Sequence, residues 1–307
     1  MSKLVAVVER EASHYAEQWF HMRPGARDNV DTVRIETPIG QQRIVTGTVV
    51  PVDLSYITSE YFYLDVTNRC NFACSMCGVK GDLIRGPVSG EEKASYLTDE
   101  FVDCVAEGIK EYLPWLVGHR IMFYGGGEPL VDPDQFARIH HSFDDVENTT
   151  RVVITNGLSL PISEDGLLEF LDRIGNPFVM ITYSEDHANH YEALAGNGLA
   201  GKYIPDVSPE QALVEKIRLL NDHAIKNGFG FSVNAVYPNG HPSELDLRDM
   251  ILQGALKNSV MTCFNGRRDP CSQNKETSIR FNGDVYPHCY DIFTKNNKLG
   301  IIGILRE

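Results

Sequence analysis

"YFYLDVTNRCNFACSMC", residues 61–77, runs from an apolar stretch straight into three cysteines, Cys70, Cys74 and Cys77, spaced C-x3-C-x2-C. Its first half, apolar on successive positions and ending in polar ones, predicts a strand buried on both faces, as in parallel sheets. Four further runs repeat the pattern: "RIMFYG" (120–125), "RVVITNG" (151–157), "FVMITYS" (178–184) and "FGFSVNAVY" (229–237). Amphipathic stretches at 98–113, 132–143, 163–174 and 208–227 separate these runs and predict helices. The last opens "SPEQ", with Ser208 as N-cap, Pro209 at the first helical position and Gln211 closing a capping box.

Strand–helix alternation of this kind specifies a parallel sheet with right-handed crossovers. Eight such units need about 250 residues, so the repeat between 59 and 256 predicts a partial (β/α)6 TIM-like barrel. Before it, residues 1–58 form an N-terminal extension with a short helix at about 9–21. "TVRIETPIGQQRIVTGTVV" there alternates and turns at Pro38-Ile39-Gly40 like a hairpin. After it, residues 257–307 break the rhythm and hold Cys263, Cys271 and Cys289. Between the last two, "SIRFNGDVYPHC" reads as a hairpin turning at Asn282-Gly283.

Composition narrows the function classes. Of 307 residues, 42% are hydrophobic and 23% charged, which suits a folded globular chain. A net charge of −14 disfavours a surface that tracks phosphates, so no nucleic-acid partner is expected. The N-terminus meets Glu9 and Arg10 too early for a signal peptide, and no stretch approaches the roughly 20 apolar residues of a membrane span. The expectation is a cytoplasmic protein with no membrane partner. Seven cysteines, an odd number, then point to metal binding or chemistry rather than disulfides.

Cys70, Cys74 and Cys77 follow the first strand of the repeat, at the carboxyl end where parallel α/β folds place active sites. Structural zinc wants four Cys or His ligands, and no histidine lies between Tyr61 and Gly118. A 4Fe-4S cluster held by three thiolates, with one iron open, fits better, though spacing alone leaves both metals standing. "GGGEP" at 125–129 ends the next strand. Its glycines let backbone approach a ligand closely, and Glu128 offers an acceptor to an ammonium group, although such a run also suits a tight turn.

Together these motifs resemble the radical S-adenosylmethionine (radical SAM) superfamily: "CNFACSMC" is similar to its cysteine signature and "GGGEP" to its GGEP motif. The resemblance implies a SAM-binding 4Fe-4S cluster on Cys70, Cys74 and Cys77. The S-adenosylmethionine amino group would be received by Gly125, Gly126, Gly127 and Glu128. It further implies that Met76 stands near the adenine, where the family usually has an aromatic residue, and that Ser184 and Asn234 contact ribose and carboxylate. "ITNG" at 154–157 also recurs in the superfamily, but Asn156-Gly157 equally suits a turn. The tail resembles the SPASM and Twitch extensions, which implies an auxiliary 4Fe-4S cluster on Cys263, Cys271 and Cys289. Its alternatives are a zinc site that adds His288, or plain buried cysteines.

The implied activity is reductive cleavage of S-adenosylmethionine and hydrogen abstraction from a substrate, with an electron donor such as flavodoxin or ferredoxin. A compact tail and a short N-terminal segment favour a small-molecule substrate over a ribosomally made peptide. The rival of another class is a non-catalytic zinc or iron-sulfur protein. Cys104 shares a helical face with Phe101, Val105 and Ile109 and is expected in the core. The histidines of "IHHSF" and "EDHANHY" show no ligand spacing, and Glu185 and Asp186 suit either a substrate contact or a solvated loop.

Overall fold

The structure, a computed structural model, describes residues 3–12, 16, 20, 22, 29–52, 61–72, 96–112, 120–124, 126–147, 149–183, 209–228, 230–237, 260–265, 276–287 and 298–305. It opens with β1 (Lys3–Val8), β2 (Asp31–Glu36) and β3 (Gln42–Pro51), of which β2 and β3 form the expected hairpin. β1 was not foreseen: "KLVAVV" is too short to show a period, yet its last four residues are buried. The helix expected at about 9–21 falls largely outside the described residues.

The parallel part follows the alternation. Strands β4 (Tyr61–Leu64), β5 (Arg120–Phe123), β6 (Thr150–Thr155), β7 (Phe178–Tyr183), β8 (Phe231–Tyr237) and β9 (Val260–Asn265) lie side by side in chain order, all parallel. Helices α1 (Asp99–Tyr112), α2 (Pro133–His141), α3 (Glu164–Arg173) and α4 (Pro209–Asn227) intervene. The result is a mixed α/β fold built on a parallel sheet. The sixth parallel strand corrects the expectation that rhythm ends before 257, because "VMTCFN" pairs with β8 and sets Cys263 opposite Ala235. Its six residues follow a segment, 238–259, in which no helical period stood out.

Helix starts are set locally. The Asp132 carboxylate accepts the Gln135 N–H at α2 and the Ser163 hydroxyl accepts the Gly166 N–H at α3. Both sheet faces are apolar. On one, Leu64, Phe123, Val153, Val179 and Val233 share a core with Phe101, Phe136, Leu171 and Ile217 of the helices. On the other, Met122, Val152 and Ile154 pack with Tyr63, Tyr124 and Met180. That two-sided burial is what the unbroken apolar runs encode.

The last strands are β10 (Glu276–Ile279), β11 (Asp284–Tyr286) and β12 (Gly300–Leu305). The β10–β11 hairpin turns through Gly283 at φ 87°, a left-handed conformation suited to glycine. β10 runs parallel to β4 and so joins the tail to the central sheet. β12 pairs with both β1 and β2, while β3 pairs with both as well, closing four strands into an antiparallel ring. Val5, Val7, Ile35, Val45 and Ile301 fill it. Among the described residues no helix is long and apolar enough to cross a membrane.

Candidate functional site

The carboxyl ends of β4, β5 and β6 deliver three loops to one place. The first carries Asp65 to Phe72, including Cys70; the second carries Gly126, Gly127 and Glu128; the third carries Asn156 to Leu160. Parallel packing puts these ends together, since every strand points the same way.

Glu128 is the hub. It is 3% exposed, and three donors surround its carboxylate. Oε1 accepts from the Leu130 N–H at 3.0 Å and the Thr155 hydroxyl at 2.6 Å, and Oε2 from the Asn156 N–H at 2.7 Å. Burial pushes its pKa up to about 7, against the pull of those donors. Its own N–H donates to Arg69 O at 2.7 Å, which ties the second loop to the first.

Asn156 completes the clasp. Its side-chain amide donates to Asn71 Oδ1 at 2.7 Å, and its Oδ1 accepts the Leu158 N–H at 3.0 Å. Asn71 lies between Cys70 and Cys74, so one asparagine joins the cysteine loop to the glycine–glutamate loop. The turn expected at Asn156-Gly157 is present, with Gly157 at φ 77°, but it also holds the site.

Two further groups brace the second loop from behind. Asp65, 2% exposed, accepts the Gly126 N–H at 3.1 Å and pairs with buried Arg280 at 3.7 Å. Burial raises the Asp65 pKa to about 6, while the Arg280 charge lowers it. The Tyr96 hydroxyl donates to Pro129 O at 3.2 Å and accepts the Asp132 N–H at 2.8 Å. Burial pushes this phenol well above its ordinary pKa.

A Cβ on Gly127 would meet Thr67 O at 2.4 Å and Arg69 O at 2.5 Å, so only glycine permits this approach of the two loops. Cys70 is half-buried, and its Sγ accepts the Phe72 N–H at 3.4 Å. A cysteine sulfur held by a backbone N–H beside a close-packed glycine loop fits a metal–sulfur centre with a ligand against it. Cys74, Cys77, Met76, Gly125, Ser184, Cys271 and Cys289 lie outside the described residues. Of Asn234 and Cys263 the backbone places are described: Asn234 pairs in register with Thr182 and Thr262, and Cys263 is the next residue on the outer strand.

A sequence profile described as the Radical SAM superfamily matches residues 64–247, which takes in all three loops. The chain belongs to this superfamily. No curated protein matches the sequence. Solved structures similar to this chain include BtrN in complex with AdoMet and 2-DOIA, at 13% identity and TM-score 0.40, covering 79% of this chain and 78% of that one. Native anSMEcpe with bound AdoMet has 14% identity and TM-score 0.43, covering 78% and 77%. The same protein with AdoMet and the Kp18Cys peptide has 13% identity and TM-score 0.42, again covering 78% and 77%.

Asp65, Asn71, Thr155 and Arg280 hold the site although neither motif specifies them. Asp65 carries a readable signal, an acid set inside the apolar run "YFYLDV". His140, His141 and Asp144 bring ligand atoms within 4.8 Å of one another, which adjacent histidines did not suggest. Arg151 adjoins that group: it pairs with Asp144 and donates to His140 O at 3.2 Å. Cys104 is half-buried on α1 beside fully buried Phe101 and Val105.

Proposed function

We propose that the protein is a radical SAM enzyme that binds S-adenosylmethionine and a 4Fe-4S cluster where the three loops meet and removes a hydrogen atom from a small-molecule substrate. The observation that carries this reading is the Glu128 carboxylate, buried and gripped by the third loop while its own N–H is gripped by the cysteine loop. Cys70, Cys74 and Cys77 would hold the cluster, and Gly125, Gly126, Gly127 and Glu128 would receive the S-adenosylmethionine amino group. When bound, this pair supplies a 5'-deoxyadenosyl radical, with one electron drawn from a flavodoxin or ferredoxin.

The chain's own contribution is fixed geometry. Asp65 fixes the Gly126 N–H and Asn156 fixes Glu128, so acceptors are oriented before the ligand arrives. The Glu128 carboxylate, with a pKa about 7, is matched to an ammonium partner that would favour its charged form. Leu130, Phe72 and Leu158, each buried, tie these loops to the hydrophobic core. Met76 would stand near the adenine, and Ser184 and Asn234 near the ribose and carboxylate. The parallel strands would form a partial barrel, and Cys263, Cys271 and Cys289 an auxiliary-cluster region of SPASM or Twitch type.

The test is anaerobic reconstitution with iron and sulfide, followed by dithionite and S-adenosylmethionine, with 5'-deoxyadenosine as the readout. Wild-type protein should form it, Cys74→Ala should not, and Cys271→Ala should retain it. Zinc at both cysteine groups with no cleavage would establish the non-catalytic alternative instead.

A further inference from the structure

Lys216, on α4, belongs to none of the motifs and is 1% exposed. Its Nζ donates to Gly157 O at 3.0 Å and to Leu158 O at 2.8 Å, the two carbonyls that directly follow Asn156. No carboxylate pairs with it among the described residues. Burial is the cause that lowers its pKa, to about 7. A buried amine held by carbonyls alone among the described residues costs stability, and an apolar side chain of equal length would fill the same space more cheaply. Gly157 O also accepts the Leu160 N–H at 3.2 Å, so satisfying that carbonyl does not require a lysine. What Lys216 adds is a fixed distance between helix α4 and the third loop.

The bonds continue from there to the site. Asn156 grips Glu128 with its N–H and Asn71 with its side chain, so the position of the 156–158 turn sets both the glycine–glutamate loop and the cysteine loop. We infer that Lys216 is a positioning residue for S-adenosylmethionine: from helix α4 it holds the turn through which Asn156 aligns Glu128 with the cysteine loop. This inference rests on the reading of the site given above and extends it to helix α4. A chain of hydrogen bonds in a buried site transmits such a constraint because each group has one good partner and little slack.

The experiment measures S-adenosylmethionine affinity by equilibrium dialysis on reconstituted protein, together with iron content and melting temperature. The proteins are wild type, Lys216→Met, Lys216→Arg and Leu220→Val. The last loosens the packing of the same buried helix face. Lys216→Met should keep its iron but bind about tenfold more weakly, the scale at which outer-shell partners act. Lys216→Arg, which keeps two donors, should recover most of that loss, and Leu220→Val should bind within about twofold of wild type. If Lys216→Met does not fold, Lys216→Gln replaces it with the same expected weakening. Wild-type binding matched by Lys216→Met would overturn this inference alone, as would a Leu220→Val loss equal to that of Lys216→Met. A wild type that takes up iron yet binds no S-adenosylmethionine would overturn the reading of the site as well.

Discussion

The Asn156 backbone N–H donates to Glu128 Oε2 at 2.7 Å, joining two loops that start from neighbouring parallel strands. This bond, with the Asn156 side chain on Asn71, makes an asparagine the meeting point of the cysteine loop and the glycine–glutamate loop.

Asn156→Ala removes the side-chain half of that junction and leaves the buried Asn71 carbonyl oxygen without its donor. A loss of about 1–3 kcal/mol of stability is expected, the cost of an unsatisfied buried group. Reconstituted Asn156→Ala should also release iron faster to a chelator than wild type. Chemical denaturation and timed chelation check the two effects.

Gly127→Ala drives a methyl group into Thr67 O and Arg69 O, both backbone atoms that cannot rotate away. The loops must separate, at about 1–3 kcal/mol. S-adenosylmethionine affinity should fall more than stability does, because the damage lies between the two motifs. Parallel dialysis and thermal melts would show whether the two losses diverge.

Arg280→Met strips Asp65 of its cationic neighbour while the carboxylate stays buried. Breaking such a pair costs on the order of 3 kcal/mol. Adding Asp65→Asn should recover much of the loss, since a neutral amide needs no counter-charge and its oxygen still accepts the Gly126 N–H. A double-mutant cycle in urea measures the recovery.

Glu128 gives a pH dependence with a definite sign. Its folded pKa, about 7, lies above the ordinary value of 4.5, so the folded state binds the proton more tightly. The stability contributed by that proton is complete below 4.5 and is lost as pH rises through about 7. Relative to Glu128→Gln, wild-type stability should therefore fall across this window, by at most about 1.4 kcal/mol per pH unit. S-adenosylmethionine affinity should move the other way, because an ammonium group prefers the ionised carboxylate. Lys216 acts on the alkaline side: its pKa falls from 10.5 to about 7, so wild-type stability relative to Lys216→Met should rise between those values.

The parallel strands were legible in sequence because burial on both faces writes an unbroken apolar run, and "RVVIT" and "FVMITY" say little else. The helices were legible from their period: α2 and α3, capped by Asp132 and Ser163, start within the expected bounds. β1 and β9 were not: β1 pairs with β12 at the other end of the chain, and β9 follows a segment in which no helical period stood out. The site divides the same way. Cys70 and Glu128 sit in short motifs whose spacing is itself the signal. Asp65, Asn71, Lys216 and Arg280 act through bonds between residues distant in sequence, 85 apart from Asn71 to Asn156 and farther still from Asp65 to Arg280, and no local pattern records such a bond.

The measurement closest to the central claim is electron paramagnetic resonance of the dithionite-reduced protein, before and after adding S-adenosylmethionine labelled with nitrogen-15 at its amino group. The account predicts a 4Fe-4S signal that changes on addition and shows hyperfine coupling to the labelled nitrogen, with Cys74→Ala lacking the signal. A wild-type spectrum indifferent to S-adenosylmethionine, from a cluster with the expected iron content, would contradict it.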